Sequence, residues 1–180
     1  AVTVHGRTAQ QSYGEPCAHT GIRAVVDAVA IPVIANGDVA DAASAMKTLA
    51  ATGAAGVMVA REALTRPWVF REIAAALDGR AIPSAPTLRE QQYLLLEHHR
   101  RMVEKDGDER GTVLMRKFAV RYLTGIPGAR VLRDALARAA SASEFRDIVA
   151  GFEIAEQATP PRARGRYALS ADDGDLRAVV

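Results

Sequence analysis

Three polar clusters early in this 180-residue chain carry side chains that suit the binding of phosphates and sugars. Each cluster directly follows a short apolar run that is typical of a β-strand. The clusters are His5-Gly6-Arg7-Thr8 after Val2-Thr3-Val4, Asn36-Gly37-Asp38 after Ile31-Pro32-Val33-Ile34-Ala35, and Ala60-Arg61 after Gly56-Val57-Met58-Val59. Because neighbouring parallel strands end at the same edge of a sheet, we expect the three clusters to converge on one pocket.

Each cluster has a chemical interpretation and a plain structural alternative. Asn36 and Asp38 suit hydrogen bonds to a sugar or polyol, and Gly37 permits close approach of the backbone, yet Asn-Gly-Asp is also common turn chemistry. Arg61 offers a fixed cation to a phosphate, or else it is a solvated surface residue. His5 suits a hydrogen bond to a cofactor or proton transfer, although a lone histidine is more often structural.

The remaining histidines and the single cysteine are weaker candidates. Cys17 follows a loop, and no feature of the sequence lowers its pKa, so the nucleophile interpretation is disfavoured. His98 and His99 are adjacent in a predicted helix and point in different directions. His19 has no evident ligand partners. We therefore predict no metal.

The elements that must position the clusters alternate between strand and helix. Helical patterns follow each strand, with Asp38 or Asp41 as the predicted cap of a helix over 41–51 and Gly53 as its end. This alternation is typical of an α/β fold of the (β/α) barrel type. A complete barrel takes roughly 250 residues, so residues 1–82 accommodate about three strands of one.

The second half of the chain carries only helical patterns. A proline-containing linker over 83–86 leads to a long helix capped by Thr87, and three more helices are predicted within 109–152. Residues 87–152 therefore form a predicted helical domain. The polar residues 153–180, with Pro160 and Pro161, form a predicted disordered tail.

Composition narrows the class of protein. The chain is 49% hydrophobic with a net charge of +2, which is too small to indicate nucleic-acid binding by itself. It contains no run long enough to span a bilayer, and its single cysteine suits the reducing cytoplasm. It lacks an initiator Met, so we expect a piece of a longer product. Arg116, Lys117 and Arg121 form either an RNA-contacting face or a solvated stripe.

The motifs together resemble the tRNA-dihydrouridine synthases, with the bacterial B-type branch as the nearest match. The resemblance runs from Val2 to about Phe152 and rests on order and spacing rather than on any single motif. It includes the three clusters with their strands. It continues through Arg66-Pro67-Trp68-Val69-Phe70-Arg71-Glu72-Ile73, Met115-Arg116-Lys117-Phe118 and Arg121-Tyr122-Leu123.

The resemblance implies an enzyme that reduces the C5–C6 double bond of particular uridines in tRNA, with FMN as the cofactor and NADPH as the reductant. It implies a TIM barrel followed by a helical domain, with tRNA lying across both. Hydride passes from the flavin to C6, and an acid protonates C5. The residues implied at the flavin are His5, Asn36, Gly37 and Asp38, with Ala60 and Arg61 at the FMN phosphate; those implied at RNA are Arg116, Lys117 and Arg121.

Two departures from the family pattern shape the expectations. Ala60 stands where the family usually has glycine, so we expect weakened phosphate binding. The family's catalytic cysteine and a flavin-contacting lysine lie on earlier strands, so we expect no catalytic residue in this chain, and Cys17 does not inherit the role. The chain then corresponds to strands six to eight plus the helical domain. We expect it to need the missing barrel half, to bind FMN poorly alone and to be inactive.

Two other functions fit parts of the sequence. The first is an RNA-binding remnant in which the helical domain contacts tRNA without chemistry. The second is a different phosphate-binding barrel enzyme acting on a small phosphorylated metabolite. The second explains the strand ends but leaves the helical half without a role.

Overall fold

A computed structural model of the chain describes residues 1–12, 14–126 and 128–151. The first half contains three parallel strands in the order β1-β2-β3, with each strand followed by a helix. The strands are β1 (Val2–His5), β2 (Val33–Asn36) and β3 (Gly56–Met58). The helices are α1 (His19–Ala28), α2 (Ala42–Thr52), a short 3₁₀ helix (Arg61–Leu64) and α3 (Val69–Leu77). The α/β prediction for this half is therefore confirmed. The predicted tail over 153–180 lies outside the described residues.

The two faces of the sheet are in different environments. In register, Val4 pairs with Ala35 and His5 pairs with Asn36, so side chains alternate between the faces. Val33 and Ala35 are buried with Ile22 of α1 in one core cluster. Thr3 and His5 point to the other face and are exposed. The sheet is therefore covered by helices on one face only.

The third strand is shorter than the sequence predicts. The apolar run continues to Val59, but the strand ends at Met58, which pairs with Asn36. Gly37 then turns the β2 chain away with a φ of 136°. Because β2 is the strand that β3 pairs with, β3 loses its partner at that point. Ala60 and Arg61 consequently lie in the turn after the strand, beyond the ladder.

Local capping rules account for α2. Asp41, rather than Asp38, is the N-cap, and its side chain accepts a hydrogen bond from Ser44 N at 2.8 Å. The Ser44 hydroxyl accepts from the Asp41 backbone N–H at 3.0 Å, which completes a capping box. Gly53 ends the helix in the left-handed conformation, as predicted. Asp38 is thereby left for another role.

Helix α3 packs on the rest of the first half through one side only. Val69 and Ile73 lie one turn apart and are buried with Val39 and Ala45. Phe70 and Leu77 occupy the opposite side and are exposed. The apolar pattern locates this helix but does not by itself show which of its apolar residues are buried.

The second half is helical throughout its described residues, as the sequence predicts. Thr87 and Glu90 form the capping box that begins the longest helix. Leu95, Met115, Leu132, Leu136 and Phe145 belong to a single buried core shared by all four helices. The helices are α4 (Leu88–Asp106), α5 (Asp108–Tyr122), α6 (Arg130–Leu136) and α7 (Ala142–Ala150).

His99 lies in that core as a neutral residue and makes stability depend on pH. It is 1% exposed, accepts or donates a hydrogen bond with the Thr112 hydroxyl at 2.9 Å, and stacks on Phe145 with ring centroids 4.0 Å apart. Burial lowers the pKa of His99; Arg146 lowers it further and Asp108 partly opposes this. Burial also lowers the pKa of His98.

Stability is expected to fall as the pH drops below about 6.5, the ordinary histidine pKa. Above that pH neither state is protonated, whereas below it the unfolded chain binds protons that the folded chain resists. Urea unfolding at pH 7.5 and 5.5 measures this change in the free energy of unfolding, which is at most about 1.4 kcal/mol per histidine per pH unit. His99→Gln should reduce the pH dependence of the unfolding free energy. An unchanged dependence in His99→Gln would contradict the assignment.

Candidate anion-binding edge of the sheet

The three strand ends meet at one edge, as the sequence predicts. Gly6 N donates to the Asn36 carbonyl oxygen at 3.0 Å, which joins the end of β1 to the end of β2. The Asn36 amide Nδ2 lies 3.3 Å from Met58 Sδ, which joins the end of β2 to that of β3. Arg61 follows β3 and reaches Asp38 across the edge. The six residues predicted to contact the cofactor are His5, Asn36, Gly37, Asp38, Ala60 and Arg61, and they all belong to these three strand ends.

Asp38 is the centre of this edge. Its backbone has a φ of 54°, the left-handed region that aspartate tolerates better than most residues. Its Oδ2 accepts from Arg7 Nη2 at 2.6 Å and from Cys17 N at 3.1 Å. Its Oδ1 lies 3.4 Å from Arg61 Nη2. One carboxylate thus connects the segments after all three strands.

The two arginines on Asp38 differ in exposure. The Arg7 side chain is 4% exposed, and its Nε and Nη2 both donate to the Glu15 carbonyl oxygen, Nε at 2.8 Å. The Arg61 side chain is 54% exposed. Arg7 therefore fixes the loop after β1, whereas Arg61 presents its guanidinium to solvent. The two arginines share the carboxylate of Asp38, and the exposed guanidinium of Arg61 is the group at this edge that suits contact with an anion.

Cys17 fills the space behind the edge. A Cβ on Gly6 would lie 2.2 Å from Cys17 Sγ, and a Cβ on Gly37 would lie 2.4 Å from it. Both glycines are therefore required for the thiol to occupy this position. Burial raises the pKa of the Cys17 thiol, and the Asp38 carboxylate raises it further, although Arg7 lowers it. A neutral thiol of this kind is a poor nucleophile, which agrees with the sequence interpretation.

His5 has a defined hydrogen bond at the edge. Its Nδ1 accepts from Arg7 N at 3.2 Å, so the neutral ring carries its proton on Nε2. The residue is exposed on the open face of the sheet. Its Nε2–H is then available as a donor to a ligand on that face.

The three residues predicted to contact RNA do not form one cluster. Arg116 Nε donates to the Ala139 carbonyl oxygen at 2.8 Å, so this half-buried side chain connects α5 to the end of α6. Lys117 is exposed, and its ammonium lies 4.9 Å from the centroid of the Phe118 ring. Arg121 is also exposed. Their role in RNA binding stays a prediction.

Sequence reasoning missed the structural roles of Arg7, Glu15 and Cys17. Glu15 contributes its backbone carbonyl, a group that every residue has, so its residue type does not indicate this contact. Arg7 stood in the first cluster, and its pairing with Asp38 was hidden by the long separation along the chain.

The described residues contain neither a metal-binding cluster nor a membrane-spanning helix. Within the described ranges, no group of three or more His, Cys, Asp or Glu side chains is arranged to hold a metal ion. In the same ranges, no helix combines the length and apolar character needed to cross a membrane.

Comparison with known proteins identifies the family. The model for the family described as dihydrouridine synthase matches residues 1–159. The chain therefore belongs to the dihydrouridine synthase family.

Curated relatives carry the same name. A probable tRNA-dihydrouridine synthase of Mycobacterium leprae is 40% identical over 138 residues, which are 76% of this chain and 36% of that protein. The tRNA-dihydrouridine synthase B of Pseudomonas aeruginosa is 39% identical over 153 residues, 81% of this chain and 46% of that protein. The chain thus spans less than half the length of these relatives.

Proposed function

We propose that this chain provides the phosphate-binding edge of an FMN-dependent tRNA-dihydrouridine synthase, which uses NADPH to reduce specific uridines of tRNA to 5,6-dihydrouridine. Family membership supports the reaction, and the names of the relatives support tRNA as the substrate. The observation that carries the proposal is the group of Arg7, Asp38 and Arg61 at the ends of three parallel strands. Family membership disfavours the alternative of a barrel enzyme acting on a small metabolite. We propose the cytoplasm as its location.

The donors at this edge fit a flavin mononucleotide. Arg61 supplies an exposed guanidinium at the strand ends, which suits the phosphate. Asn36 and the Nε2–H of His5 suit hydrogen bonds to the polar atoms of the cofactor. Gly37, where a Cβ would meet Cys17, lets Cys17 pack behind this edge. When bound, the flavin supplies hydride transfer to the uracil ring, and these residues hold and orient it.

The catalytic acid is proposed to lie outside this chain. Cys17 is packed against Gly6 and Gly37, and burial raises its pKa, so it is unsuited to donate a proton to a substrate. By the family pattern, the acid and a lysine at the flavin belong to earlier strands of a TIM barrel. We propose that these three strands form part of such a barrel, and that the chain alone lacks synthase activity. Turnover of unmodified tRNA by the purified chain with FMN and NADPH would overturn this.

Arg61→Met is expected to lower FMN affinity about tenfold, the effect of removing one charged contact to a phosphate. Riboflavin lacks the phosphate, so its affinity should not change. Fluorescence of Trp68, the single tryptophan, during titration with each flavin measures both affinities. Arg80→Met removes an exposed arginine paired with Asp78 and is the matched control. Equal loss of FMN and riboflavin affinity in Arg61→Met would contradict phosphate recognition by this residue.

A further inference from the structure

A cavity lies between the 3₁₀ helix and the α4–α5 pair. Its volume is about 400 Å³, which is within the range of small-ligand sites. Leu64 of the 3₁₀ helix forms one side, and Met102, Leu114 and Phe118 line the other with their apolar atoms. Because Arg61 begins the same short helix, the cavity adjoins the proposed flavin edge without sharing its side chains.

Aromatic rings form one wall of the cavity. The His98 ring lies 5.2 Å from the Phe118 ring and 5.9 Å from the Tyr122 ring, between centroids. His98 Nδ1 lies 3.2 Å from the Tyr122 hydroxyl, which is mostly buried. Burial raises the pKa of Tyr122 to about 12, so the hydroxyl stays protonated, and it shares a hydrogen bond with His98 Nδ1. The wall is therefore uncharged, and its planar groups suit stacking with a planar ring.

Cations surround the opening. Lys105, Arg110 and Lys117 line the cavity, and Asp106 is the one carboxylate among its described lining residues. Arg110 Nε lies 3.9 Å from Asp106, a loose pair whose arginine side chain is 77% exposed. The lining thus carries a formal charge of +2. A ligand with an anionic group next to a planar ring matches both halves of the cavity.

We propose that this cavity binds one unpaired nucleotide of an RNA chain, with its base against His98 and Phe118 and its phosphate at Lys105, Arg110 and Lys117. Proteins read single-stranded RNA by this combination of stacking and backbone charge. The proposal rests on the proposed function in one respect: tRNA is the RNA that brings the nucleotide. It adds a second point of RNA contact, separate from the uridine that is reduced.

The test measures binding of unmodified tRNA to the full 180-residue chain by fluorescence anisotropy at several salt concentrations. Lys105→Gln/Lys117→Gln should weaken binding about tenfold. It should also reduce the slope of log K against log salt concentration by about one to two, because each phosphate contact contributes about 0.7 to 0.9 to that slope. Phe118→Leu should weaken binding about five- to tenfold, as expected for loss of one stacked base, without changing the salt dependence. Circular dichroism confirms that each variant is folded.

The control variant removes two charges elsewhere. Arg130→Gln/Arg138→Gln changes exposed arginines on α6 and the residue beyond it, outside the cavity lining. This control should bind unmodified tRNA with an affinity within twofold of that of the original chain. Equal weakening by the control and by Lys105→Gln/Lys117→Gln would overturn the proposal, and so would a Phe118→Leu variant that binds as tightly as the original chain.

Competition separates RNA from other sources of the same chemistry. Uridine monophosphate should displace tRNA only at millimolar concentration, and inorganic phosphate should be weaker still. Displacement by micromolar uridine monophosphate would overturn the RNA assignment in favour of a free nucleotide. If the chain binds no tRNA, the cavity proposal fails, and the Arg61→Met flavin titration then decides the flavin edge separately. If tRNA binds but no cavity variant matters, the proposed function stands and the cavity proposal fails alone.

Discussion

Gly111→Ala is expected to destabilise the chain by about 2–3 kcal/mol, one of its most damaging single-methyl changes. The added Cβ would lie 2.6 Å from the Met102 carbonyl oxygen and 2.7 Å from Val103 Cα. Both are backbone atoms of α4, so no side-chain rotation relieves the clash, and α4 and α5 must separate. The higher helix propensity of alanine, about 1 kcal/mol, offsets only part of this cost. Urea unfolding followed by circular dichroism measures the change.

Gly21→Ala is the matched control because Gly21 also lies within a helix. Nothing lies within 4 Å of the Cβ that it would gain. Only the higher helix propensity of alanine then acts, and the free energy of unfolding should rise by about 0.5–1 kcal/mol. The two substitutions are chemically identical and should have opposite signs. A loss below about 1 kcal/mol for Gly111→Ala would show that the two helices are farther apart than described.

Asp38→Asn is expected to cost about 3 kcal/mol because it removes the carboxylate that pairs with the buried Arg7 guanidinium at 2.6 Å. Asparagine tolerates the left-handed backbone of residue 38 and still accepts a hydrogen bond, so the substitution isolates the charge. Unfolding in urea measures the loss. Arg7→Met combined with Asp38→Asn should cost less than the sum of the single changes, since the double variant has no uncompensated charge.

The matched control is Asp78→Asn, which breaks the pair with Arg80. Both side chains of that pair are more than 60% exposed, so the expected cost is below about 0.5 kcal/mol. Additive costs for Asp38→Asn and Arg7→Met would contradict the coupling.

Features governed by local rules were predictable from the sequence. Asp41, Thr87 and Ser141 each stand at the start of a helix, and each accepts a hydrogen bond from the residue three positions later. Gly53 ends a helix because only a few residue types adopt its left-handed backbone cheaply. These signals lie within a few residues of the structure that they determine.

Features governed by distant contacts were not predictable. Asp38 was interpreted as a cofactor ligand, which stays a prediction, and the sequence did not indicate that its carboxylate accepts from Arg7 and Cys17, far away along the chain. Arg116 was grouped with Lys117 and Arg121, but it donates to the Ala139 carbonyl. Residue type gives the chemistry of a side chain, and only the packing of the elements decides which partner satisfies it.

The two faces of the sheet place different constraints on neighbouring residues: folding limits the covered face, and ligand binding limits the open face. Val4 and Ala35 are enclosed beneath α1, where a polar replacement would cost folding free energy. Their neighbours His5 and Asn36 face the open side, where many replacements would leave folding unharmed. A deep mutational scan read out by abundance should therefore alternate along β1 and β2 between intolerant and tolerant positions. A substitution on the open side that preserves abundance but reduces flavin binding identifies a ligand contact.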